Sequence, residues 1–151
     1  MNASPQALYR AFTDPAALES WLAPGDMTGK VHHYDPRGGG GYQMSLYYPQ
    51  SDSSSPGNTA EREDRYTARF VELTSPHRIV EAITFDTLDP AFSGEMIMEV
   101  LLESKGSGTL VTIIFKDLPP GIRPEDNELG TSLSLEKLAR LVEGEACSVD
   151  P

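Results

Sequence analysis

Cysteine is almost missing from this chain. There is one, Cys147, which excludes an internal disulfide framework and a cysteine-built zinc site. Basic residues are scarce too: Lys plus Arg number 12 against 23 Asp plus Glu, a formal net charge of −11. A chain this acidic repels phosphate backbones and anionic headgroups, so neither nucleic acid nor a membrane surface is an expected partner unless a basic patch is concentrated locally. No apolar run approaches the ~20 residues that a membrane-spanning helix needs. No charged leader precedes an apolar segment, so a secretory signal is not expected, and the Asn2-Ala3-Ser4 sequon reads as chance. The length of 151 residues suffices for one core and is short for two ordinary domains. The expectation is a reduced, cytoplasmic, single-domain protein spanning 1–151.

What is present is strongly ordered along the chain. Ser4-Pro5 and Asp14-Pro15 are two cap-then-proline helix starts. Leu8, Ala11 and Phe12 share a face of the first short helix; Ala17, Leu18, Trp21 and Leu22 share a face of the second, which Pro24-Gly25 ends. Strands are expected over Gly29 to Tyr34, Tyr42 to Tyr48, Arg65 to Leu73, Arg78 to Phe85, Gly94 to Glu103 and Leu110 to Lys116. Turns separate them at Asp35 to Gly41, Ser75-Pro76-His77 and Lys105 to Gly108. Pro49 to Asn58, with Ser53, Ser54 and Ser55, reads as a mobile loop. The alternation is cleanest where Met96, Met98, Val100 and Leu102 oppose Glu95, Glu99 and Glu103, placing thioethers inside and carboxylates in water. A long helix begins at Pro124 with Glu125, Asp126 and Glu128 in its first turns. Its stripe is Leu129, Leu133, Leu138, Leu141 and Val142, Gly144 is its expected stop, and 144–151 reads as a frayed tail. Two short helices, a run of strands and a long helix predict an α+β fold with the helix on one face of an antiparallel sheet.

Catalytic groupings are largely missing. His32 and His33 are adjacent on a strand, so their side chains diverge and cannot share a metal. His77 is a turn residue, and no metal or cofactor is expected. Cys147 in the tail lacks the fixed electropositive surround that a reactive thiolate needs. Ser134-Leu135-Glu136-Lys137 matches the Ser-x-x-Lys pattern of some acyl-transfer enzymes, but it sits on an amphipathic helix without that pattern's companion motifs. Gly38 to Gly41 precede a strand rather than a helix, so backbone bending explains them better than a phosphate cradle. The row Glu95, Glu99 and Glu103 reads as a solvated face. What remains is soft and apolar. Trp21, Tyr42, Met44, Phe70, Phe85, Phe92, Met96 and Met98, with Leu129 and Leu133 from the long helix, are the candidate lining of an adaptable pocket. The same residues would also make an ordinary core.

Ala3-Ser4-Pro5-Gln6-Ala7-Leu8-Tyr9-Arg10-Ala11-Phe12-Thr13-Asp14-Pro15, followed by Leu18 and Trp21, resembles the opening of the START-like or SRPBCC superfamily, the helix-grip, birch-pollen-allergen-like group. Asp35-x-Arg37-x-Gly39 with Tyr42-x-Met44 resembles a second block, and Phe70-Val71-Glu72-Leu73, Pro76 and Arg78-Ile79-Val80 a third. The branch it is most similar to holds the bacterial homologues of the activator of the ninety-kilodalton heat-shock-protein ATPase. The resemblance implies a helix-grip fold: a curved antiparallel sheet of six or seven strands gripping a long C-terminal helix, with two short helices after the first strand position. It also implies a pocket between sheet and helix that takes lipids, sterols, polyketides or hormones across the superfamily, and structural roles for Trp21, Asp35, Arg37 and Gly39. The family has a strand before its first helix, and only Met1 to Ala3 are available for it here. A truncated first strand leaves an open sheet edge, and a homodimer through that edge is one expectation.

Three functions follow as expectations. The first is a protein that binds an apolar, lipid-like small molecule without chemistry of its own. The second is a co-chaperone-like activator of a heat-shock-protein ATPase. The third is a polyketide-cyclase- or hydrolase-like enzyme with Asp35, Arg37, His33 or Tyr66 as acid, base or anchor. Because no catalytic set is legible, the reading leans away from an enzyme.

Overall fold

The computed structural model describes residues 1–35, 37, 39–48, 63–87 and 89–149, with residues 63 and 144–149 described by backbone alone. The loop expected over 49–58, including Ser53 to Ser55, lies outside the described residues, as do Pro36 and Gly38 of the first turn.

Helix α1 (Pro5–Thr13) and helix α2 (Pro15–Trp21) start where the capping signals place them. The Ala7 N–H donates to Ser4 Oγ at 3.2 Å and the Ala17 N–H donates to Asp14 Oδ2 at 3.0 Å, each satisfying a first-turn donor that the helix itself cannot. Six strands follow: β1 (Thr28–Asp35), β2 (Gly41–Tyr47), β3 (Glu63–Thr74), β4 (Arg78–Phe85), β5 (Glu95–Lys105) and β6 (Gly108–Lys116). They form one antiparallel sheet in chain order, β1-β2-β3-β4-β5-β6, so each strand pairs with its sequence neighbour. Register slips between Val31 and His33 in β1 and between Phe70 and Glu72 in β3 mark β-bulges, which bend a sheet locally. Helix α3 (Pro124–Val149) completes the α+β, helix-grip-like arrangement.

One expectation at the C-terminal end changes. Gly144 does not stop α3, which runs on to Val149. A single interior glycine costs a helix only about 1 kcal/mol, and nothing that breaks a helix follows until Pro151. At the other end, no strand is assigned before α1 among the described residues, and Met1 and Ala3 bond instead to the start of β6. The Met1 ammonium donates to the Thr109 carbonyl at 2.7 Å, and the Thr109 N–H donates back to the Met1 carbonyl at 2.8 Å. Thr109 Oγ1 adds a bond to the Ala3 carbonyl at 2.6 Å, and the Asn2 N–H donates to Glu143 of α3 at 3.1 Å.

The core lies between the inner face of the sheet and the helices. Leu8, Ala11 and Phe12 of α1, Leu18 and Trp21 of α2, and Leu138 and Val142 of α3 are buried against Tyr42, Met44, Tyr66, Ala68, Phe70, Ile79, Ile83, Met96, Met98, Val100 and Leu102 of the sheet. Trp21 stacks edge-on to Phe12 at 4.8 Å and donates its indole N–H to the Ala11 carbonyl at 2.9 Å, which locks α2 against α1. On the outer face, Arg78 binds both Glu72, at 2.6 Å, and Glu99, so part of the expected carboxylate row is ion-paired rather than merely solvated. Among the described residues, no helix is long and apolar enough to cross a membrane.

Candidate functional site: an apolar cavity under the C-terminal helix

Helix α3 is docked by one half only. Ser134, Leu138 and Val142 are buried at helical spacing, whereas most of the first ten residues are exposed and Leu129 is 61% exposed. The docked half is clamped. Ser134 Oγ donates to the Leu22 carbonyl at 2.7 Å, and Lys137 Nζ donates to the carbonyls of Ala23, Gly25 and Met27 at 2.5, 3.3 and 3.3 Å. Burial holds the Lys137 ammonium below the usual lysine range. The Ser-x-x-Lys motif thus fastens α3 to the segment after α2, with both side chains committed to backbone carbonyls.

Where α3 stands off the sheet, a cavity of about 450 Å³ opens. The sheet contributes Tyr42, Tyr66, Ile83, Phe85, Met96, Met98, Ile113 and Phe115. Phe12, Trp21, Leu22 and Met27 close one side, and Phe92 and Ile122 another. The Gly121 N–H donates to the Ala91 carbonyl at 2.5 Å, tying the short 3-10 turn Pro90–Phe92 to the segment before α3 and bringing Phe92 and Ile122 to the wall. The ceiling is α3 itself, through Asn127, Gly130, Thr131, Ser134 and Leu135. Polar groups border the space at Asp64, which the Tyr48 hydroxyl binds at 2.9 Å, and at the exposed Arg123 and Asp126.

Of the residues expected to line a pocket, Trp21, Tyr42, Phe85, Phe92, Met96 and Met98 border this cavity. Four do not. Met44 and Phe70 are fully buried within the core. Leu129 points outward, and Leu133 leans toward Gly25. The face of α3 toward the cavity is rotated by one residue from the leucine stripe, because small residues there leave room that leucines would fill. Asp35 and Arg37 form a two-point ion pair, 2.9 and 3.0 Å, with Arg37 81% exposed. The guanidinium holds the Asp35 carboxyl below the usual carboxylate range. Gly39 turns the chain at φ +85° and donates its N–H to the Phe70 carbonyl at 2.9 Å. These three residues shape the β1–β2 turn, and neither they nor His33 border the cavity.

Sequence reasoning passed over one residue. Glu81 lies midway along β4 in the apolar inward row Ile79, Glu81, Ile83 and Phe85, opposite Phe70 and Met98. It is 1% exposed. The Tyr42 hydroxyl donates to its Oε1 at 3.0 Å, while its Oε2 and the Tyr34 hydroxyl have no hydrogen-bond partner among the described residues. Burial pushes the Glu81 carboxyl up to about 7, against the smaller opposing effect of the Tyr42 bond. Burial also raises the Tyr42 phenol well above its usual value and, with help from Asp14 and Glu81, raises Tyr34 to about 12. A carboxylate occupying an apolar slot of a period-2 row is the signal that would have found it.

A second arrangement has the form of a nucleophile and its base. His32 Nε2 lies 2.8 Å from Ser45 Oγ, which also accepts from Arg65 Nε at 3.3 Å. Ser45 is fully buried between strands and away from the cavity. A hydroxyl that no substrate can reach serves the sheet rather than acyl transfer. Among the described residues, no three His, Cys, Asp or Glu side chains gather as metal ligands.

Comparison with known proteins agrees with this architecture. A crystal structure of a Chromobacterium violaceum protein superimposes with a TM-score of 0.83 at 34% identity, covering 95% of this chain and 92% of that one. A Rhodobacter sphaeroides protein matches at a TM-score of 0.75 and 19% identity, over 95% and 88% of the two chains. The solution structure of an AHSA1-like protein from Aeromonas hydrophila matches at 0.69 and 20%, over 96% and 88%. Curated proteins give no match. The family model for Activator of Hsp90 ATPase homolog 1-like protein matches residues 2–143, and the chain therefore belongs to that family, within the SRPBCC superfamily.

Proposed function

We propose that this protein binds a small apolar molecule in the cavity beneath α3. One observation carries the reading: an aromatic- and methionine-lined space of about 450 Å³, above the ~300 Å³ at which ligand sites begin. Thioether and aromatic walls adapt to a guest without asking for a specific polar group. Of the four candidate acid, base and anchor residues, Asp35, Arg37 and His33 stay outside the cavity and Tyr66 borders it; a phenol parted from the other three supports binding over hydrolysis or cyclisation. Native mass spectrometry of gently purified protein, with thermal unfolding across a panel of fatty acids, terpenes and aryl hydrocarbons, tests the proposal. Co-purification of an apolar molecule, or a raised unfolding midpoint with one of the panel, supports it. A bare mass and no shift across the panel overturns it.

The family description favours a second reading, a co-chaperone-like activator of a heat-shock-protein ATPase. An unchanged rate of ATP hydrolysis when the protein is added to the bacterial chaperone removes that reading. Self-association through the sheet edge belongs to the same set of proposals, since β6 is an edge strand with Leu110 and Ile114 exposed. A light-scattering mass near 16.5 kDa removes it.

A further inference from the structure

A row of polar groups runs behind the cavity wall, and a purely apolar guest leaves it unused. Glu81 Oε1 accepts from the Tyr42 hydroxyl at 3.0 Å, and Tyr42 has the Tyr66 hydroxyl as its other hydrogen-bonding neighbour. The two rings meet edge-on at 5.9 Å, and both line the cavity. The Tyr66 hydroxyl directs its proton at Met44 Sδ, 3.5 Å away. A thioether is a weak acceptor, so this proton is the one buried donor of the row that is poorly used.

We propose, on the reading of the cavity as a ligand site, that its guest is an apolar molecule carrying one neutral acceptor oxygen, such as a ketone or ester carbonyl. The Tyr66 hydroxyl receives that oxygen, with Tyr42 and Glu81 aligned behind it. A carbonyl oxygen is a stronger acceptor than the Met44 sulfur, so the exchange is favourable once the guest's apolar body is bound. A carboxylate guest fits less well. Arg123 is the only cation among the described residues bordering the cavity, it lies at the exposed end of the lining, and it is paired with Glu125 at 3.2 Å.

The state of Glu81 sets how well Tyr66 donates. A neutral Glu81 gives its own proton to Tyr42, whose proton then turns to the Tyr66 oxygen, and the row polarises toward the guest. An ionised Glu81 holds the Tyr42 proton and draws the Tyr66 proton back toward Tyr42. The groups facing Glu81 are Tyr34 from β1, Tyr42 from β2, Tyr66 from β3 and Met98 from β5. Asp14 and Tyr9 reach the set through Tyr34, and the α3 residues that pack into this core, Leu135, Leu138, Leu141 and Val142, are apolar. The tyrosines are all raised by burial, which leaves Glu81, pushed up to about 7, as the member that changes charge near neutrality.

The test is calorimetric titration with benzophenone and with diphenylmethane, which differ by the carbonyl oxygen. The wild-type protein is expected to prefer benzophenone about fivefold at pH 6, the worth of one hydrogen bond, and less at pH 8.5. Tyr66→Phe loses the preference, binding benzophenone no more tightly than diphenylmethane. Glu81→Gln keeps a preference that no longer varies between the two pH values, and it carries the test should Tyr66→Phe fail to fold. Equal wild-type affinity for the two probes overturns this inference and leaves the cavity reading standing. Binding of neither probe overturns both. A Glu81→Gln protein that retains the wild-type pH dependence overturns the part assigned to Glu81.

Discussion

The Tyr42 hydroxyl donates to Glu81 Oε1 at 3.0 Å in the middle of the inner sheet face, and this is the single hydrogen bond that the buried carboxyl receives among the described residues. One neutral donor does not replace the water that a carboxylate gives up. Burial therefore raises the folded-state value from 4.5 to about 7. Between those values the folded protein holds a proton that the unfolded chain has released. Stability from this group accordingly increases as pH falls from about 7 toward 4.5, and above pH 7 the buried charge costs about 3 kcal/mol. Urea unfolding of wild type and Glu81→Gln across pH 5 to 8.5 checks this. The wild type is expected to lose ground against the variant as pH rises, and parallel profiles would refute it.

Lys137 and Ser134 provide the second prediction. Lys137→Ala leaves the Ala23 carbonyl, bound at 2.5 Å, without its donor and loosens the clamp on α3. The expected loss is about 1–3 kcal/mol. Ser134→Ala removes one bond to the Leu22 carbonyl and costs about 1 kcal/mol. Chemical denaturation measures both, and a neutral Lys137→Ala would show that the clamp is ornamental.

Gly130 offers a way to separate the cavity from the fold. Its side-chain position is open, the nearest atom being Pro24 Cγ at 4.0 Å, and it borders the cavity. Gly130→Leu should improve the helix by up to about 1 kcal/mol while occupying the guest's space. The expected outcome is a protein as stable as wild type or more so, with binding of an apolar probe such as diphenylmethane reduced at least about tenfold, a loss of about 1.4 kcal/mol. Undiminished binding would place the guest elsewhere.

Two glycines of the β1–β2 turn should respond very differently to alanine. At Gly41 a methyl group would strike the Ala68 carbonyl, and φ is +156°. At Gly39 φ is +85° but the space is open. Gly39→Ala is expected to cost about 1–2 kcal/mol. Gly41→Ala should cost more than that, since it adds a backbone collision to the conformational penalty. Thermal unfolding of the pair decides, and equal losses would refute the collision.

Much of this architecture can be read from local patterns. Strand β5 spans Glu95–Lys105 and buries Met96, Met98, Val100 and Leu102, the residues its alternation picks out, because a strand with one buried face must carry a period of two. The starts of α1 and α2 are equally legible, since Ser4-Pro5 and Asp14-Pro15 each supply an acceptor and a pre-set dihedral at the helix start. The facing of α3 was not legible. Leu129 and Leu133 draw the eye to one stripe, yet Gly130, Thr131 and Ser134 face the cavity, about 100° around the helix. Hydrophobic periodicity finds the side of a helix that fills space, and here the functional side is the one that leaves space empty. Glu81 escaped for the converse reason: burial is inferred from apolar residues, and one carboxylate inside an apolar row is averaged away.

The strand order follows the chain, and this has a kinetic consequence. Every strand pairing can close between sequence neighbours, without waiting for distant segments to meet. Contacts across the greatest separations join the two ends of the chain: Met1 to Thr109, Asn2 to Glu143, Ser134 to Leu22 and Lys137 to Ala23, 108 to 141 residues apart. Loop closure makes such contacts the slow ones. The sheet can therefore assemble as a succession of local hairpins, while the roof over the cavity arrives last and, on unfolding, leaves first.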